Sequence, residues 1–149
     1  MKIETKFHGA LNIQPEQTWD FPKGLPGFED EKELALLPIE GNGIFQVLQS
    51  MKTADVAFIV GNPYTHVEDY SFKVDEPTMD LLEINKQEDV FVLSVLSLKE
   101  PFESSTINLQ APLIFQTKTK KAKQMILNDN TYSMRHPIGN QPTARKGEA

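Results

Sequence analysis

Apolar and polar residues alternate in short runs along most of the chain, a pattern typical of β-strands that bury one face. In the first run Ile3, Thr5 and Phe7 alternate with charged residues, and Gly9 ends it. Such short strands at regular spacing predict a mainly β fold, a small β-barrel-like single domain of the split-barrel or sandwich-like type. The further predicted strands are 11–13, 18–21, 34–39, 44–49, 55–60, 70–74, 90–98, 106–109 and 112–117.

Only one or two short helices are expected. The residues that follow 70–74 begin a segment in which Pro77 or Thr78 supplies the start signal of a helix. Met79, Leu82 and Ile84 are spaced so that they share the apolar face of that helix.

Residues 120–127 fit either a helix face or a strand, and we favour a strand that returns beside 112–117. From 137 onward the sequence has no apolar period and is rich in polar residues. We therefore expect one β-barrel domain at 1–136 and a disordered tail at 137–149.

The charge of the chain is unevenly distributed. The 149 residues include no cysteine, so neither a disulfide framework nor a thiolate metal site is expected. The net charge of −6 divides into −11 for residues 1–117 and +5 for residues 118–149. Because nucleic acids are held mainly by cationic side chains, direct nucleic-acid binding by the acidic part is not expected. The acids serve solubility, and they also favour a basic or neutral protein partner.

The sequence indicates a cytoplasmic protein with no membrane partner, monomeric when free. Residues 1–6 alternate charged with apolar side chains, unlike a signal peptide. The longest apolar runs, 34–37 and 56–60, are far shorter than the ~20 residues of a membrane-spanning helix.

No motif of a catalytic, metal or cofactor site is present. The three histidines, His8, His66 and His136, are too far apart to indicate a metal site, and no phosphate-binding or nucleophile motif occurs. His66 lies near Glu68 and Asp69, which in principle form a base and its orienter. A solvated acidic loop explains the same residues, because no nucleophile accompanies them. We therefore expect no enzyme activity and no cofactor.

The segment 21–29, FPKGLPGFE, predicts a shaped loop. Two prolines fix φ while two glycines permit positive φ, so the loop has little freedom. Leu25 and Phe28 are apolar and must pack against other residues. The loop is either a corner of the sheet held onto the core, which we favour, or a rigid rim that presents an apolar anchor to a partner.

A second aromatic position follows the predicted strand 55–60. Asn62 and Pro63 end that strand in a turn, and Tyr64 and Tyr70 come next. Exposed tyrosines are favoured at protein interfaces, so both are predicted to be exposed contact residues. Packing at the edge of the sheet would explain them equally well.

Six segments in register resemble the flagellar assembly factor FliW family of bacteria. The resemblance extends across nearly the whole chain, and GLPGFE and NLQAP are its most characteristic parts. The six segments are FPKGLPGFE (21–29), LLPIE (36–40), FQVLQS (45–50), AFIVGNP (57–63), TINLQAPLIF (106–115) and YSMRHPI (132–138).

The resemblance implies a small cytoplasmic β-barrel-like protein without enzymatic activity. Proteins of this family bind flagellin at its C-terminal region, as a chaperone-like partner. When free of flagellin, they bind the translational regulator CsrA and antagonise it allosterically, which relieves repression of flagellin translation. A plain flagellin chaperone without regulation of CsrA is the alternative, and a flavin-binding split barrel is a weaker one.

The residues predicted to contact a partner fall in three stretches of the chain. The first is the loop around Phe28, the second is the strand 45–49, of which only one face can be exposed, and the third is the turn around Tyr64. They are Leu25, Pro26, Gly27, Phe28, Glu29, Phe45, Gln46, Leu48, Gln49, Asn62, Pro63, Tyr64, Asp69 and Tyr70.

Overall fold

A computed structural model describes residues 1–39, 41–128 and 130–138 of the chain. In this part the chain forms eleven β-strands and one α-helix, α1 (Glu76–Leu82). The strands are β1 (Lys2–Thr5), β2 (Gly9–Asn12), β3 (Thr18–Asp20), β4 (Glu33–Ile39), β5 (Asn42–Ser50), β6 (Ala57–Gly61), β7 (Val90–Ser97), β8 (Thr106–Ile107), β9 (Leu113–Gln116), β10 (Lys121–Gln124) and β11 (His136–Pro137).

Seven of these strands close into a barrel. Their order is β7-β6-β5-β4-β3-β10-β9, and β9 pairs back with the first half of β7. All neighbours are antiparallel except β3 and β10. The pair β8-β11 extends from the second half of β7, and β1 and β2 form a separate hairpin. The predicted mainly β fold is confirmed, and of its two forms the chain adopts the barrel.

Side chains from every barrel strand fill the interior. Trp19, the only tryptophan, packs edge-on against Phe91 and Phe115 at centroid distances of 5.5 and 5.0 Å. Phe91 and Phe115 stack in parallel at 4.8 Å. Leu48 and Val60 belong to the same cluster. The barrel is therefore a packed core and not a ligand cavity.

The outer face of the barrel is also largely covered. The β1-β2 hairpin packs Ile3 and Leu11 onto the cluster that contains Val47 of β5. The helix α1 packs Leu82 onto Ile114 of β9. Because both faces of several strands are buried, their sequences read as continuous apolar runs and not as strict alternation.

The helix α1 confirms the predicted helix and corrects two details of it. Asp75 is the N-cap, since its side chain accepts a hydrogen bond from the Thr78 amide at 2.9 Å. Pro77 lies in the first turn, where a missing N–H costs nothing. Leu82 is buried as predicted, but Met79 is exposed and does not share its face. A helix of two turns buries only a narrow stripe.

The predicted strand at 120–127 is confirmed, and the one at 70–74 is wrong. Residues 121–124 form β10, which returns antiparallel to β9 with Ala122 opposite Phe115. Residues 70–74 run without pairing to any described strand. Their side chains alternate because Tyr70, Phe72 and Val74 pack onto the outer face of the barrel, not because the backbone joins a sheet.

The first two residues of the predicted tail belong to the folded domain. Pro137 pairs with Thr106 as part of β11. Ile138 is buried, and its amide donates to the Ser105 carbonyl at 3.2 Å. The packed chain therefore extends to Ile138, and the remainder of the predicted tail, 139–149, lies outside the described residues.

Candidate partner-binding surface

The loop before β4 forms a tight corner. Pro26 and Gly27 occupy the central positions of a turn closed by the Phe28 amide, which donates to the Leu25 carbonyl at 2.7 Å. Gly27 has φ +82°, as the third position of such a turn requires. Gly24 has φ +63°, and a Cβ there would lie 2.5 Å from the Glu29 carbonyl oxygen. The sequence prediction of a rigid loop therefore has a specific backbone cause.

The two apolar residues of this corner have different environments. Leu25 is buried in the barrel core. The Phe28 side chain is 40% exposed, and its ring packs edge-on against Phe58 of β6 at 5.3 Å. Pro26 and Glu29 are exposed. Leu25 therefore fits the corner held onto the core, and the exposed rim around Phe28 stays a predicted contact surface.

A buried carboxylate holds the corner to the barrel. Glu31 accepts hydrogen bonds from the Ser50 hydroxyl and, at 2.8 Å, from the Thr53 hydroxyl. Lys52 reaches the carbonyl of Asp30 at 3.1 Å. In the sequence Glu31 reads as one of several consecutive acids, and nothing in that pattern distinguishes it from its exposed neighbours.

The predicted strand face at 45–49 is mostly inaccessible. Leu48 points into the barrel core and is fully buried. Gln49 points outward but is also buried, because its side-chain oxygen accepts from the Lys6 amide at 3.0 Å and its nitrogen donates to the Ala54 carbonyl at 3.1 Å. Both are corrected from contact residues to structural ones. Phe45 and Gln46, in the middle of β5, are half-buried.

The turn after β6 borders an open groove. We call it the Tyr64 groove; its volume is about 540 Å³. The Asn62 side chain caps the turn by accepting from the Tyr64 amide at 2.8 Å. The groove is lined by Asn62, Tyr64, Tyr70, Ser71, Phe72, Val74, Gln87, Val90, Phe91 and Val92.

Tyr70 is a wall of this groove and not an exposed contact. Its side chain is 2% exposed, against 42% for Tyr64, so the predicted exposure is correct for Tyr64 and wrong for Tyr70. The Tyr70 hydroxyl donates to the Leu109 carbonyl at 2.6 Å, and its ring lies 4.6 Å from that of Tyr132. Burial raises the pKa of Tyr70, and the neighbouring tyrosines add to that shift.

The structure brings together only part of the predicted patch. Asn62, Tyr64 and Tyr70 line one groove, and Pro63 is the buried residue of the turn. Asp69 is exposed beside Tyr70 in the sequence. The Phe28 corner packs on Phe58 of β6 instead. Phe58 lies three residues before Gly61, where β6 ends and the turn of the groove begins, so the two sites are about 10 Å apart along the strand.

Several residues of the groove were not identified from the sequence. Phe72, Val74 and the first residues of β7 look like ordinary core positions there. Tyr132 does not line the groove, but its hydroxyl accepts from the Ser71 amide at 3.0 Å, and in the sequence it appears only within a segment that carries the family resemblance. The groove exists because β6 ends before the first half of β7, and the sequence pattern does not show where one strand ends relative to another.

The histidine considered as a catalytic base is not arranged for catalysis. Neither ring nitrogen of His66 has a hydrogen-bond partner in the described part of the chain, and both are buried. Burial lowers the pKa of His66, and His136 lowers it further. A base needs an orienting partner and access to substrate, and His66 has neither.

Residues 1–39, 41–128 and 130–138 contain neither a cluster of metal-ligating side chains nor a membrane-spanning helix. Within these ranges no three His, Asp or Glu side chains are placed to hold a metal ion. The same ranges contain no helix with the length and apolar character needed to cross a membrane.

Comparisons with known proteins cover nearly the whole chain. The family model described as FliW protein matches residues 2–138. Flagellar assembly factor FliW of Bacillus licheniformis is 46% identical over 141 residues, which are 95% of this chain and 99% of that protein. The corresponding protein of Bacillus subtilis is 44% identical over 141 residues, with the same coverage of 95% and 99%.

A solved structure shares the fold. The crystal structure of the flagellar assembly factor FliW matches with a TM-score of 0.87 and 34% identity, over 92% of this chain and 96% of that one. The sequence comparisons and the structural comparison therefore cover nearly the same part of the chain. The chain belongs to the FliW family of flagellar assembly factors.

Proposed function

We propose that this chain acts in the cytoplasm, without catalysis, by binding two proteins in turn. It binds the C-terminal region of flagellin as a chaperone-like partner. When free of flagellin it is a monomer that binds CsrA and antagonises it allosterically, so that flagellin translation is no longer repressed. The observation that carries this proposal is the Tyr64 groove, an open aromatic surface on a barrel whose interior is already filled.

The aromatic wall of the groove suits an apolar segment of flagellin. Tyr64 and Phe72 each bring an apolar ring to the opening, while Tyr70 is held in place by its hydrogen bond to Leu109. Exposed aromatic side chains fixed by a rigid scaffold are favoured anchors, because little entropy is lost when they are covered. Covering an adhesive segment of flagellin would restrain its premature assembly.

The charge of the body suits the second partner. Residues 1–117 carry a net charge of −11, and an RNA-binding regulator is basic. Opposite charges speed the encounter of two proteins and exclude like-charged competitors. The filled barrel also speaks against the flavin-binding alternative, since a cofactor would have to bind outside the core.

The test is a binding competition with purified flagellin and CsrA. We expect the chain to co-elute with each protein at micromolar concentration, and we expect added flagellin to displace CsrA. Tyr64→Ala should weaken binding of flagellin at least tenfold, since an anchor of this kind is worth about 2 kcal/mol. The matched control is Leu98→Ala, another exposed apolar residue that lies outside the groove.

The outcomes separate the alternatives. Association with flagellin but not with CsrA would support the alternative function, a flagellin chaperone that does not regulate CsrA. Association with neither would refute the proposal. If Tyr64→Ala binds flagellin as tightly as the Leu98→Ala control does, the Tyr64 groove is not the flagellin-binding site.

A further inference from the structure

The first half of β7 has a neighbouring strand on one side only. β9 pairs with residues 90–93 along one edge. On the other edge, β6 pairs with β7 only as far as Gly61, which lies opposite Ser94. The chain then turns away through Asn62 and Pro63. Residues 90–93 therefore form a short free strand edge, which we call the β7 edge.

Two hydrogen bonds show which backbone groups point toward this free edge. The Thr117 amide donates to the Asp89 carbonyl at 2.8 Å, and the Asn108 amide donates to the Val95 carbonyl at 2.9 Å. The backbone amides and carbonyls of the odd-numbered residues of β7 thus point toward β9 and β8. Because an antiparallel ladder alternates, the even-numbered Val90 and Val92 face the opposite edge.

Three polar groups of the β7 edge lack a strand partner. The Val90 amide donates to the Gln87 carbonyl of the preceding 3₁₀ turn. The Val90 carbonyl and both the amide and the carbonyl of Val92 face the side that β6 has left. Such a row of unpaired groups is a template for an added strand.

The β7 edge opens into the Tyr64 groove, and the segment 72–74 that helps to line this groove also has unpaired backbone. Val90 and Val92 line this groove together with Phe72 and Val74. None of the backbone groups of 72–74 makes a hydrogen bond to the described residues. An occupant of the groove therefore meets the unpaired backbone groups of the β7 edge beside the apolar side chains of Phe72 and Val74.

Acidic residues predominate in the sequence next to the residues that line this groove. Six lie on the three segments that lead into its lining, against the two lysines Lys73 and Lys86, and none of the six forms an ion pair with a described residue. The six are Glu68, Asp69, Asp75, Glu76, Glu88 and Asp89.

We propose that the β7 edge binds an extended, positively charged segment of a partner polypeptide as an added strand. An extended chain presents its amides and carbonyls sideways and can pair with Val92. A helix cannot, because its own backbone groups are already bonded internally. Lysine or arginine side chains at the ends of the segment meet these six carboxylates. The proposal concerns the chemistry of the segment and holds whichever protein carries it.

The test uses three capped synthetic peptides as probes of the full-length protein. The peptide KTVTVTK is extended and cationic, ETVTVTE has the opposite charge, and an alanine-rich helical peptide carries the same net charge as the first. Amide resonances of the ¹⁵N-labelled protein are followed during titration. We expect KTVTVTK to produce a saturable shift at Val92 and the other two peptides to produce none. An equal response to ETVTVTE, or a response to the helical peptide alone, would overturn the proposal.

Two variants of Val92 test whether its backbone amide binds the peptide. Val92→Pro removes an amide that does not pair with β9, and Pro38 shows that a strand of this barrel accommodates proline. Val92→Thr keeps the amide and the branched side chain. We expect Val92→Pro to raise the Kd for KTVTVTK about tenfold, and Val92→Thr to leave it within about twofold. Equal affinities of the two variants would contradict the proposal.

Amide exchange gives the answer even if the proline variant does not fold. Saturating KTVTVTK should slow exchange of the Val92 amide of the unmodified protein at least tenfold, while the amide of Phe91, which already faces β9, stays unchanged. Unaltered exchange at Val92 would overturn the proposal. Because the peptides replace the natural partners, this result is independent of whether flagellin or CsrA binds.

Discussion

Gly24 and Gly27 lie in the same corner, both with positive φ, but only one of them is sterically enclosed. A Cβ at Gly24 would lie 2.5 Å from the Glu29 carbonyl oxygen, whereas nothing lies within 4 Å of one at Gly27. Gly27→Ala should lower the free energy of unfolding by about 1–2 kcal/mol, the cost of the left-handed conformation. Gly24→Ala should lower it by about 2–5 kcal/mol, since a clash is added.

Denaturant titration followed by the fluorescence of Trp19, the only tryptophan, measures both variants. Gly27→Ala is the matched control for backbone strain without a clash. Equal losses of stability in the two variants would mean that the corner opens to accept the methyl group.

His66 should make the stability of the protein depend on pH. Its imidazole is buried without a hydrogen-bond partner among the described residues, and this burial lowers its pKa below the ordinary 6.5. Below about pH 6.5 the unfolded chain therefore binds a proton that the folded chain resists. The free energy of unfolding should fall as the pH decreases from 8 to 5.5, because the stabilising effect of the neutral ring is complete only above the unfolded pKa.

Thermal unfolding at several pH values tests this prediction. His66→Gln and His66→Phe both remove the titrating group, the first with a polar and the second with an apolar side chain. Both variants should show a smaller loss of stability between pH 8 and 5.5 than the unmodified protein. An undiminished loss in both would assign the pH dependence to other residues.

At the level of elements, alternation of side chains predicts burial better than it predicts pairing. Residues 70–74 alternate as a strand does, yet their backbone pairs with no described strand. We expect the amides of 72–74 to exchange with solvent at least a hundredfold faster than that of Val47, which lies in the centre of the sheet. Exchange at the rate of Val47 would show that 72–74 has a backbone partner.

The sequence predicts the features that depend on local pattern, and it does not predict which strands pair. Local pattern and turn residues identify β3 to β7 and the helix α1, because these depend on neighbours in sequence. The groove depends on where β6 ends relative to β7, which is a tertiary property. Gln49 and Tyr70 illustrate the limit: each is a polar or amphipathic residue near a turn, and each is buried because a distant backbone group completes its hydrogen bonds.

At the scale of the whole molecule, the acidic charge and the groove act over different distances. Long-range attraction governs how often a basic partner arrives, and short-range pairing governs how long it stays. A change in salt should therefore alter the association rate constant, whereas a change at Tyr64 should alter the dissociation rate constant. The two contributions can be separated in one kinetic experiment.

The rate of association with the proposed partner CsrA should fall about tenfold or more between 10 and 150 mM salt, because screening shortens the reach of the −11 charge of residues 1–117 from about 30 to about 8 Å. Stopped-flow mixing measures this rate. Removing residues 139–149, which carry a net charge of +1, should raise the rate slightly at low salt. The cut belongs after Ile138, because removing that buried residue would destabilise the fold and confuse the result. A rate that does not depend on salt would exclude electrostatic steering.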